Sequence, residues 1–131
     1  MDTKEILYHQ LIDIARCAKT VTYNELAALV GLDVSKAEDR EELIRVLEDI
    51  AYRENGEGRP LLTAVVVRSE VPYPGKGFFV LARELGFNQF DDERSYYEYE
   101  LKKVYAFWRQ HIPAFQTRPY MYARGYEIRV G

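Results

Sequence analysis

Three helix-opening signals lie within the first 38 residues, and behind each of them the apolar side chains fall at helical spacing. Asp2-Thr3-Lys4-Glu5 has the pattern of a capping box, and Leu7, Leu11, Ile14, Ala15 and Ala18 follow on one face. Thr22-Tyr23-Asn24-Glu25 opens a short helix carrying Leu26, Ala27, Leu29 and Val30, which stops at Gly31. Ser35-Lys36-Ala37-Glu38 opens a long one through Leu43, Val46, Leu47, Ile50 and Ala51. Asn55-Gly56 closes it, because these residues tolerate the left-handed backbone at a helix end. Each cap satisfies an otherwise orphaned N–H and is worth about 1 kcal/mol.

The next segment, Leu61 to Arg68, has period neither 2 nor 3.6. Its three successive valines favour extended backbone, and its near-continuous apolarity predicts a strand buried on both faces. Pro72, Pro74, Gly75 and Gly77 make Ser69 to Gly77 a turn or loop. Phe78 to Leu85 fits a second strand of a hairpin or a short helix stopped by Gly86. Asp91 and Asp92 open a helix to about Gln110, with Tyr97, Leu101, Val104, Tyr105 and Trp108 inward and a Glu98–Lys102 ion pair outward. Pro113 ends it, residues 114–125 read as irregular, and Tyr126, Ile128 and Val130 alternate like a final strand. The expectation is one α+β domain: a winged-helix-like helical core with a small β-sheet or hairpin over 1–86, and a C-terminal helix and strand over 87–131.

Composition bounds the class. With 131 residues and 47% apolar side chains the chain can bury a core, which excludes a disordered polypeptide. No apolar run approaches the roughly 18 residues of a transmembrane helix, so no membrane partner is expected. The N-terminus lacks the layout of a signal peptide, and a single cysteine forms no internal disulfide; both fit a reducing cytoplasm. The net charge of -3 hides an uneven distribution. Residues 1–58 carry 7 basic and 13 acidic groups, whereas residues 59–85 carry 4 and 2 and residues 105–131 carry 4 and 1. If the last two segments share a face, the molecule has acidic helices and a basic, aromatic flank.

Val21-Thr22-Tyr23-Asn24-Glu25-Leu26-Ala27-Ala28-Leu29-Val30-Gly31 resembles the helix that opens the DNA-binding C-terminal domain of the alkylguanine-DNA alkyltransferases and alkyltransferase-like proteins, where a Gly is common at the place of Asn24. Pro60-Leu61-Leu62 and Val66-Val67-Arg68-Ser69 resemble the segments flanking that family's Pro-Cys-His-Arg motif. Gly75-Lys76-Gly77-Phe78 resembles the glycine-containing turn after it. The likeness covers about half the chain, and it implies a winged-helix fold and a nucleic-acid ligand. The motif itself is absent: Thr63 stands where the family has its alkyl-accepting Cys, and Ala64 and Val65 replace the His and Arg. Alkyl transfer needs a thiolate activated by an imidazole, so that activity is rejected. The third helix opens with four acids against two bases, which phosphates would repel, and either Arg40 or Arg45 matches the family's helix arginine.

The remaining candidates are sparse. His9 and His111 lack ligand spacing, so no metal and no cofactor is expected. Cys17 reads as a semi-buried small hydrophobe, and Glu38, Asp39, Glu41 and Glu42 as a solvated helix start. Gly75-Lys76-Gly77 is either a turn with positive-φ glycines or a place where backbone approaches an anion. In the second case Lys76 works with Arg59, Arg68, Arg83 and Tyr23. Tyr96, Tyr97 and Tyr99, with Tyr105, Phe107 and Trp108, cover more than one helix face, so some of these rings meet the tail from Tyr120 through Tyr122 to Tyr126, a second copy of the chain or a protein partner. The function expected is non-enzymatic binding or regulation, of nucleic acid through the basic hairpin or of protein through the aromatic half. A small enzyme acting on a phosphorylated or nucleotide substrate near Gly75–Gly77 is the third possibility.

Overall fold

The structure is a computed structural model that describes residues 2–87 and 90–110. Its elements in chain order are α1 (Thr3–Arg16), β1 (Val21–Thr22), α2 (Tyr23–Ala28), α3 (Ala37–Gly56), a 3₁₀ turn (Leu62–Val65), β2 (Val66–Val67), α4 (Lys76–Glu84) and α5 (Glu93–Gln110). It is an α+β arrangement dominated by helices around a two-stranded sheet. The expected stop at Pro113, the irregular stretch, the final strand, His111, Tyr120 and Tyr122 lie outside the described residues. No helix among the described residues is long and apolar enough to cross a membrane.

Local chemistry decides the helix starts. Asp2 accepts the Glu5 N–H at 2.9 Å to open α1. Thr22 and Glu25 form the reciprocal box of α2, with bonds of 3.0 and 3.1 Å. The third box does not form. The Asp33 carboxylate takes both the N–H and the hydroxyl of Ser35, at 3.0 and 2.7 Å, so α3 begins two residues later at Ala37 with no side-chain cap. An acidic acceptor two residues upstream outcompetes the helix's own N–H for the serine.

The helix stops also shift. Residue Gly58 (φ +76), rather than Gly56, takes the left-handed position after α3, and Gly86 (φ +103) does so after α4. In each case the next residue's N–H returns to the third-last helical carbonyl: Arg59 to Glu54 at 2.9 Å, and Phe87 to Ala82 at 2.9 Å. After α1 the same motif is built on Ala18 (φ 54), with the Lys19 N–H on the Ile14 carbonyl at 3.1 Å. Ala18 is therefore exposed and off the apolar stripe, and the Cys17 that precedes it is exposed rather than semi-buried. A left-handed alanine is strained by about 1–2 kcal/mol, partly offset in glycine by its larger unfolded-state entropy. Ala18→Gly should accordingly stabilise the protein by about 0.5–1 kcal/mol, read as a higher urea midpoint with an unchanged slope; an unchanged midpoint would contradict it.

The apolar run is buried from Leu61 to Val67, as its composition demands, yet only Val66 and Val67 are strand. They pair in parallel with Val21 and Thr22. Leu62 to Val65 coils into a 3₁₀ turn because side chains of α5 satisfy its backbone. The Leu61 N–H donates to Glu100 Oε2 at 2.8 Å, and the Tyr97 hydroxyl donates to the Ala64 carbonyl at 2.9 Å. The core gathers round this turn, with α1, α3 and α5 all packed on it.

Phe78 to Leu85 resolves as helix, the bulk of α4, so residues 61–85 form no hairpin. Gly75 is its N-cap with φ -72 and Gly77 is helical; neither supplies the positive φ expected of a turn glycine. On α5, Arg94 faces Glu98 at 3.9 Å and Lys103 faces Glu100 at 2.9 Å in place of the expected Glu98–Lys102 pair. Its rings divide: Tyr99 is exposed at 63%, whereas Tyr96, Tyr97 and Trp108 are buried. Tyr97 is 2% exposed and Trp108 4%, so neither is available to a partner; they complete the core. Tyr105 is half-buried, its hydroxyl on the Lys19 carbonyl at 3.0 Å.

Candidate functional site

A cleft of about 390 Å³ opens between α3 and the start of α4, with the first residue of α2 and the 3₁₀ turn at its back. Val34, Leu43, Leu47, Val66, Phe78 and Leu81 supply apolar walls, and Ile44 stands exposed on the rim. The periodicity of α3 dictates much of this. Leu43 and Leu47 lie one turn apart on its buried face, and Ile44 and Glu48 lie one position round towards solvent.

The polar groups bordering the cleft are few. Tyr23, at the first position of α2, accepts the Gly75 N–H on its hydroxyl at 3.0 Å and so ties α2 to the start of α4. Burial is the main force raising the Tyr23 pKa, against the lowering effects of that hydrogen bond and of Arg68. The phenol therefore keeps its proton and can donate it. A Cβ at Gly75 would meet that hydroxyl at 3.5 Å, ordinary contact, so glycine here is not imposed by space. No side chain caps α4. The Phe78 N–H turns back to the Gly75 carbonyl at 3.1 Å, while those of Lys76 and Gly77 have no acceptor among the described residues.

Thr63 is the unexpected member. The 3₁₀ turn presents it to the cleft at 7% exposure, and its hydroxyl has no hydrogen-bond partner among the described residues. Its neighbours Leu61 and Ala64 are held by α5, so the turn is fixed from behind while Thr63 borders the open side. The only sequence signal for Thr63 was its alignment with the family's cysteine. Arg40 also borders the cleft, with Nη1 on the Val34 carbonyl at 2.7 Å. Arg45 instead pairs with Glu42 on the exposed side of α3.

Tyr23, Gly75, Lys76 and Gly77 thus come together as the sequence suggested, whereas the arginines do not. Arg59 is spent on Glu54, to which its Nε and Nη2 donate at 2.9 and 3.0 Å. Arg83 pairs with Glu93 at 3.2 Å and lies over the Phe90 ring. Arg68 is half-exposed, 3.5 Å from Glu70. Lys76 is exposed and has no acidic partner among the described residues. His9 lies 3.9 Å from Glu5 on α1, and no cluster of three potential metal ligands occurs among the described residues. Compared with protein-family models, with curated proteins and with solved structures, the chain matches none.

Proposed function

We propose that this chain is a non-enzymatic binding module, working in a reducing cytoplasm, whose ligand seat is the cleft between α3 and α4. The observation that carries this is the largely apolar cavity of about 390 Å³ itself, with Thr63, a residue 7% exposed, bordering it by a hydroxyl that no described residue bonds. A ligand bonded to that hydroxyl makes a hydrogen bond that the described residues do not make. The volume is in the range of small-molecule sites. The titratable side chains bordering the cleft are Tyr23, Arg40, Glu48 and Lys76, which suit recognition more than proton shuttling.

The direct test is an amide NMR titration of the full chain with a set of small apolar and polar fragments. Ligands of the module should shift Thr63, Lys76, Gly77 and Phe78, and Ile44→Arg at the exposed rim should suppress those shifts. Shifts confined to other surfaces would remove the seat from the cleft.

Nucleic acid is the second reading, favoured by Lys76, which has no acidic partner among the described residues, by half-exposed Arg68 and by the resemblance to the winged-helix domain of alkyltransferase-like proteins. On that reading binding to labelled DNA or RNA falls steeply with salt, and Lys76→Ala and Arg68→Ala each reduce the salt slope by about 1. No binding at low salt would end it. A protein partner would engage exposed side chains such as Tyr99, Val80, Tyr52 and Ile44 rather than the buried Tyr97 and Trp108.

A further inference from the structure

We propose that the cleft takes a small monocarboxylate with an apolar body, its carboxylate at the first turn of α4 and its hydrocarbon along Leu43, Leu47, Val66 and Leu81. This rests on the cleft being the binding seat and goes on to name the chemistry of its ligand.

The unmet groups of Thr63, Tyr23 and the start of α4 point to the head group because each of them can donate. The Lys76 and Gly77 N–H groups begin a nine-residue helix with no side-chain cap. The Lys76 ammonium has no acidic partner among the described residues. Tyr23 already accepts from Gly75, which leaves its own proton to give, and Thr63 has a hydroxyl proton with no acceptor. A head group that only accepts is the complement, and an ionised carboxylate is such a group. The positive end of the α4 dipole favours it further.

Charge sets the valence. Arg40 and Lys76 border the cleft against the single acid Glu48, a formal excess of one positive charge, which a monoanion neutralises and a phosphate dianion exceeds. The body follows from the walls, which are hydrocarbon or phenyl apart from the groups named and the exposed Asn24. A peptide chain is the poorer fit. Each amide it brought against the apolar walls would lose its water, and only Glu48 and Asn24 among the side chains bordering the cleft offer charged or amide oxygens to its N–H groups. A straight-chain or compact apolar acid brings one polar group, which the donors at the start of α4, Tyr23 and Thr63 can meet.

The test is isothermal titration calorimetry of the full chain with octanoate, octanol, octylammonium and acetate, with amide NMR to locate each ligand. Octanoate should bind at least tenfold tighter than octanol or octylammonium, acetate should give no measurable heat at the same concentrations, and octanoate should shift Thr63, Lys76 and Gly77. Thr63→Val should weaken octanoate about tenfold. Lys76→Glu, a change on an exposed side chain, should invert the order so that octylammonium binds better than octanoate. If octanol shifts the cleft amides as strongly as octanoate, and Lys76→Glu changes neither, the carboxylate assignment is overturned while the cleft stands as the seat. If a short peptide ending in leucine outcompetes octanoate, the small-molecule assignment is overturned. If no octyl compound shifts the cleft amides, both fall together.

Discussion

Arg59→Met should destabilise the protein by about 3–5 kcal/mol, because it leaves a buried carboxylate without its cation. Glu54 has no exposed surface, and its two oxygens are held by the Arg59 fork at 2.9 and 3.0 Å and by the Tyr8 hydroxyl at 2.9 Å. The double variant Glu54→Leu, Arg59→Met removes both charges together and should recover much of the loss, since an ion pair is often replaceable by apolar side chains of similar volume. Urea unfolding of the two single variants and the double variant measures the coupling. A single variant within about 1 kcal/mol of the parent would contradict the burial of this pair.

Tyr8 adds a pH signature to the same cluster. Its pKa is raised from 10.0 to about 12, first by burial and then by the charge of Glu54 and the hydrogen bond to it. The native state holds the proton through a range in which the unfolded chain has released it. Stability is therefore complete below pH 10 and is lost as the pH rises from there to about 12. Burial shifts Tyr96 and Tyr97 in the same direction, so Tyr8→Phe should flatten only part of the alkaline loss. An identical alkaline profile in Tyr8→Phe would show that Tyr8 titrates normally.

Glu100→Ala should be the second large loss, about 3 kcal/mol or more. Glu100 is fully buried, accepts the Leu61 N–H at 2.8 Å and lies 2.9 Å from the Lys103 ammonium. The variant leaves a cavity, an unpaired buried N–H and a lysine deprived of its partner. Tyr97→Phe, which frees only the Ala64 carbonyl, should cost about 1–2 kcal/mol. Both act on the turn that carries Thr63, so fragments that shift the cleft amides of the parent should bind Glu100→Ala more weakly, although Glu100 does not border the cleft. Unchanged fragment affinity in a folded Glu100→Ala would show that the turn holds its shape without α5.

The two charged pairs also explain why the expected basic flank is weaker than its composition suggests. Counting cations along residues 59–85 gives an excess, but Arg59 serves Glu54 and Arg83 serves Glu93. Both partners lie in other elements, and the Arg83 partner is ten residues away. Composition records the sign of a charge and not what neutralises it; only Lys76 and, in part, Arg68 remain to act outward.

What the amino-acid sequence determined by itself was whatever depends on neighbours within a few positions. The one-way cap at Asp2, the box at Thr22, the inward stripes of α1 and α3, and the burial of Leu61 to Val67 follow from hydrogen bonds and side-chain spacing inside one or two turns. The failed box at Ser35 belongs to the same scale, where a competing acceptor at Asp33 wins. Tertiary structure decided the rest. Whether Leu62 to Val65 extends or coils depended on Glu100 and Tyr97, more than thirty residues away, because a buried backbone takes the conformation whose polar groups can be met. The cleft, too, is assembled from α2, α3, the 3₁₀ turn and α4, so Thr63 acquired its place by the packing of distant elements, which no local pattern encodes.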